Sequence, residues 1–302
     1  MVDITYKSNS LRQAIASAIL TVSKPETIQA IKNRTVPKGD VFEFSRAAGL
    51  LAIKKTSDVI PDCHPLPVEF ALIKHEIDDL NIIITVEVHT IYKTGVEVEA
   101  MHGAAITALT MYDMLKPIDK GIEISSIKLE SKKGGKTDFQ NIFSESMRCA
   151  VIICSDTVAA GINEDQTGKA IINRLKKYNL SAIQEVITDD YELIQAKAKQ
   201  LSEEEYALLL FAGGTGLSQR DVTPDAISPL LTRQIPGIME AARSYGQQRT
   251  PYAMLSRGVA GFIKNSLVIT LPGSPTGAGE TIDALFPYVL HVFQVAQGIR
   301  HT

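Results

Sequence analysis

Apolar and polar positions alternate with two different rhythms along this chain. In the first half, "NIIITVEVHT" at 81–90 is β-branched and reads as a strand. "AIASAIL" at 14–20 reads as helix. "EAMHGAAITALTMYDMLK" at 99–116 reads as one long Ala-rich helix, stopped by Pro117. Long strands and helices without regular βαβ alternation predict an α+β domain, a sheet with helices on one face. The second half does alternate. "CAVIICSD" leads to "TGKAIINRLKKYN", "YALLLFAGGTG" to a helix opening at "VTPDAI", and "SLVITLPGSP" to "GETIDALFPYVLHVFQ". Three strand–loop–helix units predict a parallel sheet covered on both faces. Between the halves, "GGKTDFQNIFSESM" at 134–147 is polar and weakly patterned, which places a domain boundary near residue 145.

A length of 302 residues suits two domains of ordinary size. With 45% hydrophobic and 22% charged residues, each half can build a core. A net charge of −3 gives no footprint for nucleic acid or an anionic membrane, so any basic site is local. Apolar runs such as "YALLLFA" are too short to span a bilayer, and "MVDITYKSNS" lacks the apolar stretch of a secretory signal. Three cysteines without a CxxC spacing fit reduced thiols in a cytoplasm.

Those cysteines also limit the chemistry. In "DVIPDCHPLP", Cys63 and His64 are neighbours, and neighbours on an extended segment point to opposite faces. Zinc wants three or four ligands, and no second Cys/His pair stands at ligand spacing. Neither a metal site nor a thiol–imidazole nucleophile is favoured. "GGKT" at 134–137 fails as a P-loop because Glu130 stands where a glycine is needed, leaving Lys136 as one candidate anion-binding lysine.

"FAGGTGLSQRDVTPDA" at 211–226 carries more information. A buried strand runs into three glycines, then Thr223 as N-cap, Pro224 at the first helical position and Asp225 in the first turn. Gln219 breaks the GxGxxG pattern and disfavours a dinucleotide site. "LPGSPTGAGE" at 271–280 repeats the logic after another strand, and two such loops on one sheet edge favour a phosphate-bearing ligand. Asp221 inside the first loop would repel bare phosphates unless Mg²⁺ bridges them; the plain alternative is a carboxylate that only caps the loop. In the long helix, Asp113 and Lys116 share a face. Glu99 and Asp113 share one too, but their 14-residue spacing separates them by roughly 21 Å. Either they serve separate features, or a symmetry mate completes one site.

These motifs resemble two known families. Residues 1–138 resemble the MoaC family of cyclic pyranopterin monophosphate synthases, through "MVDI" with Arg12, "KGDV" at 38–41, "AAGLLAIKKT" at 47–56, "IPDCHPL" at 60–66, "KTGVEVEA" at 93–100, "LTMYDMLK" at 109–116 and "GGK" at 134–136. Residues 147–298 resemble the MoaB/MogA family, through "SDTVAAGINEDQTG" at 155–168, "DD" at 189–190, "GGTGLSQRDVTPDA" at 213–226, "LSRGVAG" at 255–261 and "LPGSP" at 271–275. The resemblance implies a fusion of two molybdenum-cofactor biosynthesis enzymes, with domains at 1–140 and 147–302. The first is expected to be ferredoxin-like, with an antiparallel sheet, and the second a three-layer α/β domain.

For the first domain the resemblance implies conversion of 3′,8-cyclo-7,8-dihydro-GTP to cyclic pyranopterin monophosphate and diphosphate, with no cofactor firmly implied. Asp113 matches the catalytic aspartate, and Lys54 and Lys116 the lysines. Asp62, Cys63, His64, Val98 and Glu99 match substrate contacts, with Asp62 replacing the family's leucine and Val98 its methionine; Arg12 and Lys136 join the binding set. For the second domain it implies binding of molybdopterin and its adenylylation with Mg-ATP. Asp189 and Asp221 match catalytic aspartates, Asp221 is the expected Mg²⁺ ligand, and Gly213, Gly214, Thr215, Gly216 and Ser274 match ligand loops. The resemblance also implies self-association, a dimer-based hexamer for the first domain and a trimer for the second. A non-catalytic pterin-binding or oligomerising module is the rival reading of the second domain.

Overall fold

The computed structural model describes residues 1–135 and 147–298. The chain forms two compact units, Met1–Asp138 and Phe139–Thr302.

The first unit runs β1 (Ser10–Thr21), α1 (Pro25–Lys32), α2 (Val41–Lys54), α3 (Thr56–Val59), β2 (Phe70–Asp78), β3 (Asn81–Tyr92), α4 (Glu97–Leu115) and β4 (Glu123–Lys133). Its four strands form an antiparallel sheet in the order β2-β3-β1-β4, the split βαβ arrangement of a ferredoxin-like fold. The expected helix at 14–20 is instead β1, one of the two inner strands. Alanine favours helix in isolation, but here Ala14, Ala16, Ala18 and Leu20 alternate strictly into the core while Ile15 and Ile19 face outward. Period 2 with pairing on both edges overrides the local propensity. The small alanines leave room for α4 to lie close against the strand.

The long helix forms as expected, starting at Glu97, and buries Ala100, Ala104, Ala108 and Met111. It crosses α2 closely: a Cβ at Gly49 would collide with Thr107 Oγ1, and one at Gly103 would meet Ile53 Cγ1 at 2.6 Å. Helix α2 starts at Asp40, whose carboxylate accepts from the amides of Phe42 and Glu43 at 3.1 Å, so Lys38 sits just ahead of a fixed cap. The turn after α4 is pinned by Asp119, which accepts from Ser23 N, Ser23 Oγ, Thr27 Oγ1 and Gly121 N. Burial pushes this carboxyl upward, but those hydrogen bonds outweigh burial and hold it below the usual range.

His75 on β2 stacks on Phe42, its ring centroid 4.7 Å away, and its Nε2 lies 3.2 Å from Ser45 Oγ. Burial, then the Arg46 charge, lowers its pKa to about 4. The unfolded chain takes up this proton near the ordinary histidine value, so stability is whole above about pH 6.5 and declines as pH falls toward 4. At ~1.4 kcal/mol per pH unit, the loss is on the order of 2–3 kcal/mol. Thermal melts of the full chain at pH 7 and 5 test this: His75→Phe should flatten the first unit's pH dependence, and an unchanged slope would remove His75 as its source.

The second unit runs β5 (Cys149–Cys154), α5 (Asp156–Ala159), α6 (Gln166–Leu175), β6 (Ala182–Ile187), α7 (Tyr191–Glu203), β7 (Leu208–Ala212), α8 (Thr223–Ile227), β8 (Arg233–Gln234), α9 (Pro236–Gln247), β9 (Ala260–Ile263), β10 (Ser266–Leu271), α10 (Pro275–Leu285) and α11 (Val292–Ala296). The six strands lie in the order β6-β5-β7-β10-β9-β8. The first four are parallel, and β9 and β8 extend the sheet antiparallel. Both faces are covered. Val151, Ile153, Leu208 and Leu210 pack with Ile171 of α6 and Ile282 of α10, while Ala150, Ile152, Leu209 and Phe211 pack with Ile194 and Leu201 of α7. Strand order reverses between β5 and β7, so their carboxyl ends diverge into a crevice.

Candidate functional sites

In the first unit, α4 carries chemistry at both ends. Near its start the Cys63 thiol donates to Glu99 Oε1 at 3.1 Å. Glu99 is only 3% exposed, and burial raises its pKa. Burial, the hydrogen bond and the charge of Glu99 push the thiol up to about 12, so Cys63 is protonated and no ready nucleophile. His64 Nε2 donates to Val2 O at 2.9 Å, and Asp62 and Val98 are exposed beside it. The structure therefore gathers Asp62, Cys63, His64, Val98 and Glu99 at one end.

At the other end Asp113 is gripped by two lysines, Lys38 at 2.6 Å and Lys116 at 2.7 Å. Hydrogen bonds from Lys116 and then Lys38 lower its pKa to about 2. Lys54 is not part of this group: it is exposed at the end of α2 and pairs with no carboxylate among the described residues. Lys38 takes the place beside Asp113. It lay in the quoted "KGDV" motif, but only the tertiary approach of the pre-α2 turn to the end of α4 reveals the contact.

A third group surrounds a cavity of about 380 Å³ lined by Lys7, Arg12, Lys93, Lys132 and Lys133, with Glu97 among them. Lys132 holds Glu97 at 3.1 Å. Arg12 is the only one of these five cations expected from sequence; the others sit in or beside quoted motifs without periodicity to single them out. Gly135 closes the cavity, and the expected Lys136 lies outside the described residues.

In the second unit, the crevice between β5 and β7 is a cavity of about 600 Å³. Cys154 and Ser155 line it from the end of β5, Asp189 from beyond β6, Gly213 and Gly214 from beyond β7, and Gly273 and Pro275 from beyond β10. The two glycine loops meet back to back: Gly213 N donates to Leu271 O, and a Cβ at Gly213 would collide with Cys154 O. Gly213 and Gly214 both have positive φ, +112° and +56°. Thr223 is not the N-cap but the first residue of α8. Its hydroxyl makes no capping bond and is buried beside Cys154 and Gly214, while Thr223 N donates to Gly214 O.

Asp189 N donates to Asp156 Oδ1 at 3.0 Å. Burial, then the charges of Asp156 and Asp221, raise the Asp189 pKa. Asp189 Oδ1 is buried with no hydrogen-bond partner among the described residues. Asp190 caps α7 through Leu193 N and takes no part. Asp221 accepts from Ser218 N through Oδ2 at 2.8 Å, so the plain loop-capping role is real. The unmet oxygen of Asp189, close in charge to Asp221, suits a hard dication. Among the described residues no group of three or more His, Cys, Asp or Glu could hold a metal ion.

Ser274 N-caps α10 through Gly277 N. Together with Pro272 it also lines a second cavity of about 230 Å³, bounded by Arg243, Tyr252, Ser256 and Glu280. Successive residues of the Leu271–Pro275 turn thus face two cavities by turns. No helix among the described residues is long and apolar enough to cross a membrane, and all three cysteines are free thiols.

Residues 1–135 match the MoaC family and residues 150–291 match the probable molybdopterin binding domain. The whole chain is 37% identical over 302 residues to the molybdenum cofactor biosynthesis bifunctional protein of Chlorobaculum tepidum, covering 100% of this chain and 96% of that one. The first part is 45% identical over 139 residues to the cyclic pyranopterin monophosphate synthase of Syntrophomonas wolfei, covering 45% of this chain and 88% of the relative. A crystal structure of the molybdopterin biosynthesis enzyme MoaB from Thermus thermophilus matches at 37% identity, over 50% of this chain and 97% of that one, with a TM-score of 0.47.

Proposed function

This chain belongs to the family of bifunctional molybdenum cofactor biosynthesis proteins, and on that footing we propose that its first unit is a cyclic pyranopterin monophosphate synthase and its second a molybdopterin adenylyltransferase. The observation that carries the first assignment is Asp113 held between Lys38 and Lys116. Turning a triphosphate substrate into a cyclic monophosphate requires a hydroxyl of the same molecule to attack the α-phosphorus while the bond to diphosphate breaks. Lysines stabilise the charge that builds on those oxygens. They also explain how Asp113 can serve: at about 2 it is a poor base, but an anionic substrate that draws Lys38 and Lys116 onto itself returns the carboxylate toward its ordinary value. The basic cavity around Arg12, Lys93 and Lys132 is the counterpart for the departing diphosphate. His64 and Glu99 contact the purine-derived ring system from the far end of α4.

Those two ends are too far apart for one small substrate within one copy, at roughly 1.5 Å per helical residue. A second copy must bring one end to the other. The outer sheet face, with Leu11, Phe70 and Ile91 exposed, offers an apolar surface for association, and the family's dimer-based hexamer would satisfy it. Mixing inactive full-length Lys116→Ala with inactive full-length Glu99→Ala tests the shared site. Partial recovery of product is expected. No recovery from two folded, co-assembled variants would overturn the arrangement.

In the second unit, the larger cavity suits ATP phosphates against the glycine loop, and the smaller one suits the pterin, with the Leu271–Pro275 turn between them. Asp189 and Asp221 would hold Mg²⁺, which supplies charge neutralisation between phosphates. The unpartnered Asp189 oxygen supports this reading over a binding module, which gains nothing from an unmet buried acceptor. Domains at 1–140 and 147–302, a trimeric second unit and a cytoplasmic setting complete the proposal.

A further inference from the structure

The stretch "LSRGVAG" brings Arg257 to the site, yet neither reaction described above uses it. Its surroundings are specific. Arg257 Nε donates to Gly216 O at 2.7 Å, and Nη2 donates to Asp221 O. Nη1 spans both oxygens of Asp225 in the first turn of α8, each at 3.0 Å. The main-chain amide of Arg257 adds a bond to Thr215 O at 3.1 Å. One residue therefore occupies the carbonyls of Thr215, Gly216 and Asp221, from both sides of the segment 217–220. The internal bonds of the loop include Thr223 N to Gly214 O, Asp221 N to Ser218 O, Ser218 N to Asp221 Oδ2 and Arg220 N to Ser218 Oγ.

Glycine-rich backbone has many conformations open to it, and Gly213 and Gly214 already sit at positive φ. The bonds Asp221 makes within the loop reach only Ser218, three residues away, whereas Arg257 ties it to a segment outside the loop. A planar guanidinium with five donors in fixed directions can hold several acceptors at once; an ammonium cannot hold the same set.

We infer that Arg257 is the positioning residue of this loop: it clamps the carbonyls of Gly216 and Asp221 against Asp225, and so sets the Asp221 carboxylate for the metal–phosphate end of the site. It acts through Asp221 and touches no substrate itself. The inference rests on the adenylyltransferase reading for its catalytic consequence, but not for its structural one.

Full-length Arg257→Lys and Asp225→Asn test it. Mn²⁺ binding is followed by water-proton relaxation with the α,β-methylene analogue of ATP present, alongside hydrogen exchange of residues 213–221. Arg257→Lys is expected to weaken Mn²⁺ binding about 10–100-fold, the usual cost of losing a group that orients a metal ligand. Loop exchange should speed up while β7 and β10 stay protected and the melting temperature stays near that of the wild type. Asp225→Asn should give a smaller effect of the same kind, and the double variant should be no worse than Arg257→Lys, because the two act as one unit. In turnover, kcat should fall with KM for ATP nearly unchanged. Wild-type Mn²⁺ binding and loop exchange in Arg257→Lys would overturn the inference. So would a lowered melting temperature with exchange raised throughout the unit, which marks a general structural role. A wild-type protein that binds the metal–nucleotide pair but forms no adenylylated product would sink the adenylyltransferase reading alone, leaving the loop measurements to decide on Arg257.

Discussion

Asp113→Asn is expected to cut cyclic pyranopterin monophosphate formation by about 10²–10⁴-fold, the range for a lost acid–base group. The exchange keeps shape and one acceptor oxygen, but removes the charge that two lysines hold. Asp113 is exposed and its helix is anchored by residues facing the core, so the fold should survive. The companion substitutions sharpen the assignment. Lys38→Ala should approach the loss seen with Asp113→Asn, because Lys38 is in direct contact with that carboxylate. Lys54→Ala should cost much less unless a neighbouring copy brings Lys54 into the site. Steady-state assays of the three variants, with circular dichroism to check folding, separate these outcomes. Near-normal turnover by Asp113→Asn would remove it from the reaction.

The second large effect is expected at Asp221. Asp221→Asn should abolish Mg²⁺-dependent adenylylation while leaving molybdopterin binding within a few-fold, a loss of several kcal/mol of transition-state stabilisation. The loop keeps its shape, since an amide oxygen can still accept from Ser218 N. The charge is what disappears. Asp189 should then titrate closer to its ordinary value, because Asp221 is one of the charges that raise it. Product formation from molybdopterin and Mg-ATP is the measurement. If the wild type binds molybdopterin but never forms product, the second unit is a binding module.

The sequence and structure agree where one signal dominated. The β-branched run at 81–90, the uninterrupted Ala-rich helix and the strands of the three strand–loop–helix units each carried one dominant period, and each formed. The helix expected through "GETIDALFPYVLHVFQ" instead stops at Leu285 and resumes as α11 at Val292, because Pro287 lacks the amide a continuing helix needs. Residues 14–20 carried two: alanine content pointed to helix, and the weaker alternation of Ala14, Ala16 and Ala18 pointed to strand. Pairing with β3 and β4 decided it, and pairing is not written locally. The same limit applies to the sites. Asp113 and Lys116 are three residues apart and legible as neighbours. Lys38 is 75 residues away from Asp113, and only the fold brings it there. Thr223 looked like an N-cap by position, but its amide bond to Gly214 had already drawn the loop inward.

The Leu271–Pro275 turn has a consequence for how ligands sense each other. It is a party wall one backbone thick, with Pro272 and Ser274 on one side and Gly273 and Pro275 on the other. Thr167 Oγ1 braces it from the larger cavity through Gly273 O, and Gly277 N braces it through Ser274. A guest that stiffens the wall from one room lowers the entropy its neighbour must still give up. On the proposed reading, whatever help a nucleotide in one cavity gives a pterin in the other is returned in equal measure, since coupling between two equilibria is reciprocal. A residue exchanged in this turn therefore remodels both rooms, and neither tenant's affinity can be tuned there in isolation.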